Sequence, residues 1–260
     1  MSAGQATPIL ETRDLLLHFG GVVATDHVSF GLPEGQVRAL IGPNGAGKTS
    51  FFNLLTGVLR PQGGRIFFKG RDITHMPPYR RVKLGIGRSF QVVNLFPELT
   101  VKENVQIAVQ ASLKQKNHLF ERVERQEISR RTDEILSQYE WIRDPDQEAG
   151  ALIYPEQKKL ETILALALEP ELVLLDEPTA GVDENDIGLI TDMINTLSQN
   201  RTILLTDHDI KFVMKIAQRI TVMDQGRIIS EGTPSEVASD PRVDECYFGG
   251  LVECQTTYSS

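Results

Sequence analysis

Residues Gly42, Pro43, Asn44, Gly45, Ala46, Gly47, Lys48, Thr49 and Ser50 fit the spacing G-x-x-x-x-G-K-[ST], with Gly42, Gly47, Lys48 and Thr49 at the defined positions. A bound phosphate needs backbone N–H groups converging on it with no side chain in the way, and Gly45 and Gly47 permit that approach. Lys48 is then placed to reach the β- and γ-phosphates of a nucleotide, and the Thr49 hydroxyl to ligate the Mg2+ that accompanies them. A second group ends the apolar run ELVLLDEP at 171–178, where Asp176 and Glu177 stand side by side. An acid at the C-terminal edge of a buried strand, in a chain with a phosphate loop, is placed to hold Mg2+. Successive strand residues point to opposite faces, so the two acids have different tasks: one orients metal, the other polarises a water in line with the γ-phosphate. A third group ends the run TILLTDHD at 202–209, where His208 can contact the γ-phosphate.

These groups need elements to hold them. QVRALI before the loop is an apolar strand, and SFFNLLTGVL after it has helical apolar spacing, which puts the glycines at a strand-to-helix turn. The helix N-terminus adds a partial positive charge. The runs ahead of Asp176 and His208 are alike in length and kind, so their ends should line one edge of a parallel sheet.

Residues 8–40 read as an antiparallel β opening, punctuated by Gly20-Gly21 and Pro33-Glu34-Gly35. Phe19 precedes the first of these turns. Its ring could stack on a base, although periodicity alone favours an ordinary half-buried strand aromatic. GGRIFFKG reads as a strand, PPYRRVKLG as a short helix entered through proline, and GRSFQ as a strand. From Leu95 the character changes. Thr100 and Glu103 form a capping box ahead of VQIAVQASL, and a second helix is expected from about Leu119 to Tyr139, with Leu119, Phe120, Val123, Ile128, Ile135 and Leu136 on one face. His118 falls in an exposed connection between them. A helix IKFVMKIAQR, a strand pair ITVMDQGRIIS and a capping box from Thr233 to Glu236 with Pro234 at the first helical position close the chain before a short tail.

The length of 260 residues can bury a full core. A net charge of −8 argues against a general nucleic-acid binder, so no nucleic-acid partner is expected. No stretch reaches the ~18 to 20 uninterrupted apolar residues of a membrane span, and the opening lacks a basic region followed by an apolar run, so a cytosolic chain is expected. Cys246 and Cys254 fit neither a zinc site nor a disulfide framework and read as reduced and incidental.

Together GPNGAGKTS, VLLDEP, the AGVD after it and TDH, in this order, resemble the ATP-binding subunit of ABC transporters over nearly the whole chain. FGGVVATDHVSF, LIGPNGAGKTSFFNLLTG, GRDIT and LFPELTVKENV are similar to the importer branch for branched-chain amino acids and related polar solutes. The resemblance implies an α/β fold: a P-loop NTPase (RecA-like) core with an antiparallel β subdomain over 8–94 and 166–245, an inserted helical subdomain over 95–165, and a tail over 246–260. It implies ATP and Mg2+ as ligands and Glu177 and His208 as catalytic residues. By the same resemblance Gln91 joins Thr49 and Asp176 at the metal and couples to membrane subunits. Phe19 becomes the aromatic that stacks on adenine, and Asp183 lies at a dimer interface.

One stretch departs from the family. Where its signature LSGGQ or LSYGE should stand, this chain has Leu152, Ile153, Tyr154, Pro155 and Glu156. In the family this segment donates to the γ-phosphate held by the other subunit. Ile153 has no hydroxyl, and Pro155 has no backbone N–H. The departure favours a heterodimer with a second ATP-binding subunit over a homodimer. The remaining expected partners are transmembrane permease subunits and, indirectly, a solute-binding protein, which places the chain peripherally on the cytoplasmic face of the plasma (inner) membrane. The alternatives are a mainly regulatory subunit that hydrolyses little ATP, or a soluble ABC ATPase outside transport.

Overall fold

The computed structural model describes residues 8–88, 95–116 and 125–243. Gln91, His118, Leu119, Phe120, Val123, Cys246 and Cys254 lie outside these residues. Leu10–Phe19 (β1) and Val22–Leu32 (β2) bury one face each and pair antiparallel across the Gly20-Gly21 turn, Phe19 opposite Val22. Val37–Ile41 (β3) is buried at every position and, against the expected antiparallel opening, joins a second sheet. A strand that is apolar on both faces needs cover on both, which a parallel sheet between layers provides. Lys48–Thr56 (α1) follows, and then Gly63–Phe68 (β4) and Arg71–Asp72 (β5) complete the first sheet in the order β2-β1-β4-β5.

Pro78–Lys83 (α2) enters through proline as expected and leads to Ile86–Arg88 (β6). Val101–Lys116 (α3) opens with the expected box: Thr100 Oγ1 accepts from Glu103 N at 3.0 Å, and Glu103 Oε2 accepts from Thr100 N at 2.8 Å. Arg125–Leu136 (α4) ends at Leu136 rather than Tyr139, because the chain tightens there into a turn closed by Tyr139 N to Leu136 O. Next come Tyr154–Ala167 (α5), Leu172–Asp176 (β7), Glu184–Ser198 (α6) and Thr202–Thr206 (β8). Ile210–Ile216 (α7), the hairpin of Arg219–Asp224 (β9) and Arg227–Gly232 (β10), and the short helices Pro234–Ala238 (α8) and Pro241–Val243 (α9) complete the described chain. Thr233 and Glu236 cap α8 reciprocally, as their spacing predicts.

The second sheet runs β10-β9-β3-β8-β7-β6, parallel except at β10. Alternate residues face opposite layers. Leu40, Leu172, Leu174 and Leu204 share a core with Phe51, Phe52, Leu54 and Leu55 of α1 and with the antiparallel sheet. Ala39, Ile41, Val173, Leu175, Ile203 and Leu205 pack with Ile190 and Ile194 of α6 and Phe212 and Val213 of α7. Helix α1 therefore lies between the two sheets. A third cluster joins Val101 and Val105 of α3, Leu136 of α4, and Leu160 and Ile163 of α5.

The foot of α1 is closed by Arg81, which is fully buried on α2. Its Nη1 donates to Leu54 O and Leu55 O, both at 2.7 Å, while Nη2 donates to Thr74 O and Nε to Met76 O. A cation on the last carbonyls of a helix adds to the one capping bond there, Gly57 N to Leu54 O, and complements the helix dipole.

Candidate functional site

The phosphate loop joins β3 to α1 and is held from behind. A Cβ at Gly42 would run into the Met223 carbonyl, and one at Gly47, where φ is 102°, into the Ala24 carbonyl. Only glycine fits between these neighbours. Ala46 O accepts from Gly226 N at 2.9 Å, and Gly226 O accepts from Asp26 N at 2.8 Å, so the loop is tied to β2 and to the β9–β10 turn. On the other side, Gly45, also at positive φ, has nothing within 4 Å of where a Cβ would stand. The loop is thus packed at its back and open at its mouth. Asn44 and Thr49 are exposed, Pro43 and Ser50 half-buried, and Ala46 buried. Lys48 is buried, and its Nζ donates to Gly42 O at 2.6 Å and Pro43 O at 2.9 Å. Burial pushes the Lys48 ammonium pKa down, against the nearby carboxylates of Glu177 and Asp176, which push it up.

β7 and β8 run in register, Asp176 opposite Thr206, which brings both strand ends to one edge as expected. Asp176 is buried. Its Oδ2 accepts from Arg88 Nη2 at 2.7 Å, while its Oδ1, also buried, has no hydrogen-bond partner among the described residues. A buried carboxylate oxygen left over beside a phosphate loop suits Mg2+, which takes one or two carboxylate ligands and completes its shell with phosphate oxygens and water. The donor at Asp176 fits that ion, and Thr49 is exposed in the first turn of α1.

The separation of Asp176 and Glu177 has a different origin from the strand alternation expected. β7 ends at Asp176, and Glu177 lies beyond it with φ 51°, in the left-handed region. Past this single left-handed residue the two acids meet different partners, Asp176 with Arg88 and Glu177 with His208. The conformation is uncommon for a residue with a Cβ, and such outliers gather at functional sites. Glu177 N donates to Thr206 O at 2.8 Å, and Glu177 Oε1 lies 2.9 Å from His208 Nε2. Lys48, Asp176, Glu177 and His208 therefore come together at one sheet edge.

The other sequence-predicted residues are placed as follows by their elements. Phe19 ends β1 with half of its surface exposed, 50%. Ile153 and Tyr154 are 64% and 49% exposed, and Leu152 is half-buried. Ile153 occupies the N-cap of α5 with no acceptor to offer; only the return half of a capping box forms, Ile153 N to Glu156 Oε2 at 3.3 Å, and Pro155 follows in the first turn. The Tyr154 ring lies against Gly181, and Asp183 is the exposed N-cap residue of α6. Among the described residues no hydrogen bond or ion pair joins Leu152 to Glu156, or Asp183, to the phosphate loop.

Four residues have no signature in the sequence: Arg88 on Asp176 and Asn53 on Arg88, and Thr179 and Asp207 next to Glu177 and His208 in the turns after β7 and β8. Arg88 and Asp207 lie within the stretches GRSFQ and TDHD, beside the more conspicuous Gln91 and His208.

Comparison with known proteins agrees with this geometry. Residues 25–180 match the ABC transporter family. The chain is 37% identical over 251 residues to the high-affinity branched-chain amino acid transport ATP-binding protein LivG of Salmonella typhimurium, covering 93% of this chain and 98% of that one. It is 36% identical, with the same coverage, to the corresponding protein BraF of Pseudomonas aeruginosa. A solved ATP-binding cassette of an ABC transporter in its ADP conformation superposes with a TM-score of 0.77 at 31% identity, covering 94% of this chain and all of that one. Among the described residues no helix is long and apolar enough to cross a membrane. A loop built for phosphates, acids and a histidine gathered beside it, and kinship over almost the full length make this chain a member of the ABC transporter family, an ATPase subunit that couples ATP hydrolysis to transport.

Proposed function

We propose that the chain drives an importer for branched-chain amino acids, or a closely related polar solute, from the cytoplasmic face of the inner membrane, bound peripherally to transmembrane permease subunits that receive solute from a binding protein. The observation that carries the chemistry is the Glu177–His208 contact at 2.9 Å beside the free oxygen of Asp176. Lys48 exchanges the loop carbonyls of Gly42 and Pro43 for β- and γ-phosphate oxygens, since an ammonium makes its strongest hydrogen bonds to an anion. Phe19 supplies a face for the adenine. Glu177 orients and polarises the attacking water, and His208 holds the γ-phosphate and the Glu177 carboxylate in one geometry. Asp176, Thr49 and Gln91 would hold a Mg2+, which when bound would supply positive charge against the phosphates.

Residues 95–165 form the helical subdomain of this reading, with 8–94 and 166–245 as the core. Leu152 to Glu156 and Asp183 belong to the interface with a second ATP-binding subunit. Exposed Ile153 and half-buried Pro155 give that partner's γ-phosphate neither a hydroxyl nor a second N–H, so a distinct partner with an intact signature is favoured over a second copy of this chain. The alternative of a subunit with little turnover of its own rests on the same two residues.

The test is ATP-dependent uptake of labelled leucine by vesicles containing the chain with its permease and ATPase partners and the solute-binding protein. Uptake that requires Glu177 and stops in Glu177→Gln supports the reading. ATP turnover by this complex that leucine, isoleucine, valine and other polar solutes all leave unstimulated, with no uptake, overturns it.

A further inference from the structure

One residue before His208 lies a carboxylate that the chemistry above does not use. Asp207 is 3% exposed. Its Oδ2 accepts from Thr179 N at 3.0 Å, and its Oδ1 accepts from Thr179 Oγ1 at 2.7 Å and from Asp209 N at 3.0 Å. Thr179 belongs to the turn after β7 and Asp209 to the turn after β8, where its own carboxylate caps α7 by accepting from Phe212 N. One buried side chain thus grips both loops that carry catalytic groups, with hydrogen bonds to an ionised acceptor, which are the stronger kind.

What it grips is a strained turn. Glu177, at φ 51°, sits two residues ahead of Thr179, and its amide and carbonyl are both engaged, Glu177 N with Thr206 O at 2.8 Å and Ala180 N with Glu177 O at 3.1 Å. A left-handed non-glycine residue persists where its surroundings over-determine it. We propose that Asp207 is a positioning residue for catalysis: by clasping Thr179 it holds Glu177 in its left-handed conformation and keeps the Glu177 carboxylate against His208. This inference rests on Glu177 and His208 being the catalytic pair.

The chemistry of the clasp sets the test. In Asp207→Asn the remaining oxygen can serve Thr179 Oγ1 and Asp209 N, but the new amide donor then faces the Thr179 N–H donor, so one link is lost without loss of volume. Thr179→Val removes the hydroxyl and keeps the N–H, and Thr179→Ser restores the hydroxyl. Steady-state ATPase, nucleotide affinity and melting are measured on these variants and on Glu177→Gln in the complete transporter. The expected result is a kcat lowered by about tenfold or more in Asp207→Asn and less in Thr179→Val, a KM for ATP within about twofold of wild type, and near wild-type turnover in Thr179→Ser. Combined with Glu177→Gln, Asp207→Asn should lower turnover no further, because both act through the same carboxylate. A folded Asp207→Asn or Thr179→Val with wild-type kcat, or kcat and ATP affinity falling together, overturns the proposal. If Asp207→Asn fails to fold, Thr179→Val against Thr179→Ser decides alone. The two layers fail separately: full turnover by Glu177→Gln removes the catalytic reading itself, whereas a dead Glu177→Gln beside a normal Asp207→Asn removes only the clasp.

Discussion

Arg88 at the end of β6 places its Nη2 2.7 Å from Oδ2 of Asp176 at the end of β7, with both side chains buried. Its Nη1 donates to Asn53 Oδ1 of α1, also at 2.7 Å. One guanidinium thus joins α1, β6 and β7, and leaves Oδ1 of Asp176 without a hydrogen-bond partner among the described residues. Truncating one partner of a buried pair strands the other charge, so Arg88→Ala should lower stability by about 3–5 kcal/mol, and Arg88→Lys, which keeps the charge and loses the fork, by less. Denaturant unfolding checks this. A loss under about 1 kcal/mol for Arg88→Ala would show that solvent, rather than Arg88, balances Asp176.

The glycines of the phosphate loop should separate folding from binding. Gly47→Ala forces a Cβ against the Ala24 carbonyl and should unsettle the fold even without nucleotide. Gly45→Ala meets no atom within 4 Å and should cost only about 1 kcal/mol of backbone strain, yet weaken ATP binding by about tenfold or more, because the methyl fills the space the phosphates approach through. Thermal unfolding and ATP titration on both variants give the comparison. Equal ATP affinity in Gly45→Ala and wild type would place the phosphates elsewhere.

Glu177→Gln and Lys48→Ala should fail in different ways. The first keeps the shape of the site while removing the carboxylate proposed to orient the attacking water, so turnover in the assembled transporter should fall by about 100-fold or more with ATP still bound and the dimer closed. The second removes the ammonium that the phosphates replace loop carbonyls to meet, and should weaken ATP binding itself. Nucleotide affinity measured beside turnover distinguishes them, and wild-type turnover by Glu177→Gln would remove its role.

Ile153→Ser has two expected effects with different readouts. A serine at the α5 N-cap can accept from the first turn, which isoleucine cannot, so the folded chain should gain about 0.5–2 kcal/mol. Together with Pro155→Gly it also adds donors to the face proposed to meet a partner, and the purified homodimer should then turn over ATP faster than wild type. The Pro155→Gly half gives back some of the stability, since glycine is a poor helix starter where proline is a good one. A wild-type homodimer as fast as the repaired variant would rule out the preference for a distinct partner.

What could be read from the sequence was local. The phosphate loop, the capping boxes at Thr100 and Thr233 and the apolar runs ending in Asp176 and His208 each carry their chemistry within a few residues, and the structure forms them. The contacts that finish the site join residues far apart in the chain: Thr179 and Asp207 are 28 positions apart, Arg88 and Asp176 are 88. No spacing rule predicts such pairs. The left-handed Glu177 was equally hidden, since a glutamate after a strand reads as one more pleated residue. The placement of β3 shows the same limit, because QVRALI pairs with whichever strands the fold brings to it.

Arg81 changes what α1 presents to a nucleotide. Burial pushes its pKa down to about 10, so the guanidinium keeps its proton at neutral pH. A helix on its own is a dipole, and a phosphate at its head also feels, more weakly, the negative charge at its foot. Here a permanent cation sits on that foot and cancels it over the helix length of about 13 Å. Electrically α1 is closer to a monopole, a single positive end turned toward the loop, and part of the affinity for ATP should therefore reside in a residue that never touches it.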